Sequence, residues 1–124
     1  EHAISIAKKN AQTAGVDHLI EFAVCDFADT EIPEQPGIVI FNPEYGERLG
    51  VHSKLEATYK RMGDFMKQQC KGYRGYIFTG NPELAKKIGL RASCRLEFYN
   101  GKLDCRLLEY ELYEGSKREP KANE

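Results

Sequence analysis

The chain has 124 residues, 41% hydrophobic and 30% charged, with 18 basic against 19 acidic side chains and a formal net charge of -1. That length suits one compact domain of ordinary globular composition, and no apolar run approaches the roughly 20 residues of a membrane span. The charge balance gives no footprint for nucleic acid, but it leaves RNA open because a separate domain can supply the basic surface. The start, Glu1-His2-Ala3-Ile4, lacks the basic end and apolar core of an export signal. Cys25, Cys70, Cys94 and Cys105 form no Cys-x-x-Cys pair, and His2, His18 and His52 sit at no ligand spacing from them. Reduced, packed thiols in a cytoplasmic protein are therefore expected, with no membrane, disulfide or metal site.

Ile4, Ala7, Ala11 and Ala14 recur at spacings of three and four, which predicts a helix over residues 3–14 closed by Gly15. Residues 18–25, rich in Leu, Ile, Phe and Val, read as a strand ended by Asp26. Residues 28–37 read as a loop. Ile38-Val39-Ile40-Phe41 is a continuous apolar run, as in a parallel strand covered on both faces. Ser53-Lys54-Leu55-Glu56 has the form of a capping box, and the helix after it carries Leu55, Tyr59, Met62, Met66 and Cys70 on one stripe.

Tyr76-Ile77-Phe78-Thr79 reads as the next buried strand. Asn81 caps a short helix that has Pro82 at its first position and Gly89 at its end. Asn100-Gly101 favours a two-residue hairpin turn. That turn puts Cys94, Leu96 and Phe98 on one face with Leu107, Cys105 and Leu103, and it sets Arg95 opposite Arg106 and Glu97 opposite Asp104. Residues 114–124 read as a disordered polar tail. Strands alternating with helices give an α/β sheet with a terminal antiparallel pair.

Ligands of open α/β sheets bind beyond the carboxyl ends of strands. Two polar signals fall at such ends: Asp26, and the run Asn42-Pro43-Glu44-Tyr45 with Gly46 permitting a sharp exit. Each has a plain alternative. An aspartate after a strand is commonly a turn or cap residue, Asn-Pro is commonly a turn, and Tyr45 suits a packed aromatic. An amide, a proline and an aromatic in succession after a buried strand make the second signal the stronger one.

Asn42-Pro43-Glu44-Tyr45 resembles the Asn-Pro-Pro-Tyr signature of methyltransferases acting on exocyclic amino groups of nucleobases. Gly46-Glu47-Arg48-Leu49, the Ile4-x-x-Ala7-x-x-Asn10-Ala11-x-x-Ala14-Gly15 block and Asn100-Gly101-x-Leu103-Asp104-Cys105 narrow it. Together they resemble the THUMP-containing 23S ribosomal RNA guanine-N2 methyltransferases, also called N6-adenine-specific DNA methylases, over residues 3–113. The resemblance implies the C-terminal part of a Rossmann-like class I methyltransferase sheet, mostly parallel with a terminal antiparallel hairpin. It also implies S-adenosylmethionine as cofactor, ribosomal RNA as partner and guanine N2 as the methylated atom. By the same resemblance the Asn42 side-chain oxygen and the Pro43 carbonyl accept the target amino hydrogens, Tyr45 stacks on the flipped base, and Asp26 binds the adenine of the donor. Glu44 and Arg48 fall beside the substrate, although Glu47 and Arg48 also suit an ion pair across the loop.

Two departures qualify this. Glu44 stands where the family has a second proline, which relaxes the loop and adds a charge near the base, so base binding is expected to weaken or change. No glycine-rich donor loop occurs in this sequence, and in the family's sheet two strands lie between the strand ending at Asp26 and the strand ending at Phe41. Residues 1–113 therefore read as a partial S-adenosylmethionine-dependent domain whose open edges invite self-association. The isolated chain is expected to be inactive and to bind the donor weakly or not at all. The competing readings are N6-adenine methylation of DNA or RNA, and a non-catalytic α/β binding module descended from the same family.

Overall fold

The computed structural model describes residues 2–44 and 52–113, in two compact units, Glu1–Glu31 and Ile32–Glu124. In the first unit, helix α1 (His2–Ala14) buries Ala11 and half-buries Ile4 and Ala7 of its predicted stripe, whereas Ala14 is exposed. Gly15 ends it at φ +76°, with its N–H on the Gln12 carbonyl and the Val16 N–H on the Ala11 carbonyl, both at 3.0 Å. That pair of bonds is the Schellman closure, which needs the left-handed backbone that glycine adopts without strain.

Residues 18–25 are not a strand. They pass through a 3-10 turn (Asp17–Leu19) into unpaired backbone, with Leu19 73% and Val24 61% exposed. Ile20 does have extended dihedrals, φ -122° and ψ 131°. Local propensity therefore acts as expected, but a strand needs a partner for its backbone groups, and none is present among the described residues.

The second unit is a four-stranded mixed sheet in the order β1-β2-β4-β3. Strand β1 (Ile38–Phe41) runs parallel to β2 (Arg74–Thr79), joined through helix α2 (His52–Gln69). A short helix α3 (Pro82–Ala85) and a 3-10 turn (Lys86–Ile88) lead to the antiparallel β3 (Cys94–Asn100) and β4 (Leu103–Glu111), with β4 inserted beside β2. Without a strand at 18–25, the parallel part reduces to one pair, and β1 becomes an edge.

Helix α2 covers one face. Its stripe of Leu55, Tyr59, Met62, Met66 and Cys70 is buried as predicted, joined by Phe65, which packs edge-on against Phe41 with ring centroids 6.2 Å apart. Ile77, Thr79, Leu108, Tyr110 and Leu112 complete this core. Ser53, the expected cap, sits one residue inside a helix that has already begun at His52, and its side chain lies outside the described residues. The opposite face is open. Ile38 and Ile40 are 68% and 64% exposed, so β1 is covered on one side rather than two. Leu96 and Phe98 lie on the same open face, each 45% exposed.

The hairpin keeps its predicted faces but changes register by two residues. Asn100 pairs with Leu103, and the turn is Gly101-Lys102, with Gly101 at φ +66°. An Asn100-Gly101 turn of the favoured kind needs positive φ at both residues, and no described non-glycine residue has it. In the observed register Glu97 opposes Arg106, with N and O 3.3 Å apart, in place of the arginine pair and the acid pair of an Asn100-Gly101 turn. Opposite charges across strands favour this alignment over the like pairs of the other. All four cysteines are free; Cys70 and Cys105 are buried, whereas Cys25 is exposed rather than packed.

Candidate active site

Parallel β1 and β2 end side by side, and the residues just beyond them define the site. After β1 come Asn42 and Glu44, both exposed, with the half-buried Pro43 between them. At the end of β2 stand Thr79, Gly80 and Asn81. Tyr45 and Arg48 lie outside the described residues, so the stacking and substrate contacts expected of those two are not placed. Asp26 lies in the other unit, where its Oδ1 accepts the Ala28 N–H at 2.9 Å and caps the 3-10 turn Phe27–Asp29. The plain reading of Asp26 as a cap is thus met.

A chain of buried hydroxyls links the two strand ends. The Tyr59 hydroxyl donates to the Glu44 carbonyl at 2.9 Å and lies 2.8 Å from Thr79 Oγ1, while the Asn81 N–H donates to the same Oγ1 at 3.1 Å. Only one assignment of protons fits. The carbonyl can only accept, so the single Tyr59 proton goes to Glu44, and Thr79 must donate to Tyr59. Asn81 in turn accepts the Leu84 N–H at 3.0 Å and caps α3. Tyr59 has no exposed surface and Thr79 only 2%, so the bond between them is shielded from competing water. Glu44 lacks the restraint a proline would impose, and the tyrosine supplies one.

From sequence, Tyr59 reads only as part of an apolar stripe and Thr79 as a strand residue. A tyrosine in a helical core stripe, facing a threonine at a strand's carboxyl end, was the available signal, since buried Tyr hydroxyls find partners. Tyr59→Phe keeps the ring and removes the donor. It is expected to cost about 1–2 kcal/mol of stability and to lower turnover about ten-fold by loosening the loop. Denaturant melts and initial rates of the complete gene product check this, and unchanged turnover would show that the restraint does not matter.

A groove of about 790 Å³ opens beside this chain, lined by Thr79 and Gly80 and continuing between α3 and the β3–β4 hairpin. At its floor, burial pushes the Tyr110 pKa up to about 12 against the opposing pull of Arg95, and the phenol stays neutral. The Asp104 carboxylate, hydrogen-bonded to Arg106, holds that guanidinium above its ordinary range. Among the described residues no cluster of His, Cys, Asp and Glu is arranged to hold a metal.

A βαβ sheet carrying an Asn-Pro loop at a strand's carboxyl end, closed by an antiparallel hairpin, defines an α/β domain of the class I methyltransferase type. Comparison with known proteins agrees and is more specific. The chain belongs to the RMKL-like methyltransferase domain family, whose profile matches residues 1–109. It is 44% identical over 110 residues to slr0064 of Synechocystis sp. (strain PCC 6803), a protein assigned as an RNA methyltransferase, covering 89% of this chain and 29% of that protein. It is 41% identical over 116 residues to the ribosomal RNA large subunit methyltransferase K/L of Syntrophotalea carbinolica, covering 90% and 16%. Among solved structures, SMU.472, given as a methyltransferase and crystallised with SAH, superposes with a TM-score of 0.80 at 26% identity, covering 91% of this chain and 30% of that one. The chain thus spans less than a third of each of these proteins.

Proposed function

We propose that this chain forms the base-presenting part of an S-adenosylmethionine-dependent methyltransferase acting on an exocyclic amino group of RNA, with guanine N2 of large-subunit ribosomal RNA as the target. The observation that carries this is the Asn42-Pro43-Glu44 segment at the carboxyl end of β1, held to β2 by Tyr59 and Thr79. Family membership and the large-subunit methyltransferase among its relatives support it.

An exocyclic amino nitrogen is a poor nucleophile because its lone pair is delocalised into the base. Two acceptors, the Asn42 side-chain oxygen and the Pro43 carbonyl, would hold its two hydrogens and turn the lone pair out of the ring plane. Tyr45 would stack on the base drawn out of its helix, and Arg48 would contact the nucleotide. Glu44 adds a carboxylate beside the base and so retunes its binding. The donor supplies an activated methyl group, and Asp26, an exposed carboxylate that can only accept, fits its adenine amino group. The protein's part is alignment. A cytoplasmic setting goes with four free cysteines and an RNA substrate.

Incubation of the complete gene product with large-subunit RNA and S-adenosylmethionine, followed by nucleoside mass spectrometry, tests the reading. N2-methylguanosine is the expected product. N6-methyladenosine would move the target to adenine, and no methylated nucleoside would favour a non-catalytic module.

A further inference from the structure

We propose that the groove between α3 and the β3–β4 hairpin binds the phosphate backbone of the RNA flanking the target nucleotide, with Arg91 and Arg95 as the phosphate contacts. This rests on the reading of the chain as part of an RNA methyltransferase. Three observations carry it.

The first is charge. Although the whole chain is near neutral, the groove is lined by Lys86, Arg91, Arg95 and Arg106 against the single carboxylate of Asp104. Their pairing differs. Arg106 is engaged by Asp104 and Glu97, and Lys86 meets Glu83 at 3.3 Å on the surface. Among the described residues Arg91 and Arg95 have no acidic partner within ion-pair distance. Two exposed guanidiniums lining one concavity, neither of them in an ion pair there, leave planar donor forks that suit a phosphate.

The second is position. Thr79 belongs both to the groove wall and to the hydroxyl chain ending on Glu44. The groove therefore starts two hydrogen bonds from the base-presenting loop. The third is size. At about 790 Å³ it is larger than one phosphate needs and lies in the range of pockets that take nucleotide-sized ligands. Pro82, exposed, and Leu90, half-buried, add apolar surface for a sugar or base beside the arginines.

The test uses the complete gene product, a short single-stranded RNA of mixed sequence and large-subunit RNA, with an Arg91→Gln/Arg95→Gln variant. Affinity for RNA is expected to fall about ten-fold. The slope of log K against log salt should become shallower by about 1.4, at about 0.7 for each single-strand phosphate no longer neutralised. Affinity for S-adenosylmethionine should stay at the parent value. A Lys60→Gln/Lys67→Gln variant removes the same charge from the exposed side of α2 and should leave RNA binding nearly unchanged. Equal losses in the two variants would show a general charge effect and overturn the groove, as would an unchanged salt slope in the arginine variant. If the double variant unfolds, the single variants Arg91→Gln and Arg95→Gln, each expected to flatten the slope by about 0.7, decide in its place. A parent protein that binds and methylates RNA while the arginine variant binds it equally well sinks this proposal alone. A parent that neither binds nor methylates RNA sinks the methyltransferase reading with it.

Discussion

Asn42→Ala is expected to abolish most of the activity, lowering turnover by about 100- to 1,000-fold, the usual cost of deleting one preorganised polar contact to a reacting group. Stability should change little, because Asn42 is exposed and lies beyond the last residue of β1. Asn42→Asp separates the chemistry from the shape. It keeps acceptor oxygens for the amino hydrogens but adds a negative charge beside Glu44. It should therefore retain more turnover than alanine and less than asparagine. Methyl transfer to large-subunit RNA by the complete gene product is the measurement, with RNA affinity alongside. Alanine and aspartate variants that work within a few-fold of the parent would remove Asn42 from the mechanism and leave the loop a structural turn.

Gly63→Ala should be the most destabilising single change in the described core, at about 3 kcal/mol or more, the upper end for overpacking. Alanine is ordinarily the better helix residue, by about 1 kcal/mol. Here a Cβ on Gly63 would sit 1.8 Å from the Ile88 carbonyl oxygen and 2.8 Å from its carbon. Those are backbone atoms of a buried residue, which cannot rotate away as a side chain can. Helix α2 and the Lys86–Ile88 turn would have to separate, loosening both the core and one wall of the groove. Gly15→Ala is the control. It meets nothing within 4 Å and suffers only the strain of φ +76°, so about 1 kcal/mol is expected. Urea midpoints of the two variants should differ clearly, and equal shifts would mean that α2 does not pack as closely as described.

Both variants act at places where sequence and structure contribute differently. Whatever depends on neighbours along the chain was legible. The closure of α1 at Gly15, the buried stripe of α2, the Asn81-Pro82 start of α3 and the apolar runs of β1 and β2 all follow from backbone preference and periodicity. The position of Asn42-Pro43 directly after β1 was legible too, because the apolar run of that strand stops at Phe41.

Pairing between distant segments had to come from the tertiary structure. Residues 18–25 carry strand chemistry, yet form none among the described residues, because a strand is completed by its neighbour. The hairpin residues fix which faces go together, since side chains alternate with period two, but a two-residue slip preserves those faces while exchanging every partner. Cross-strand charge and the glycine conformation decided between the two registers. Gly63, Tyr59, Thr79 and the arginines of the groove look ordinary in sequence. Their roles arise where α2, β2, α3 and the hairpin meet, and such contacts, unlike caps and stripes, leave no local pattern in the chain.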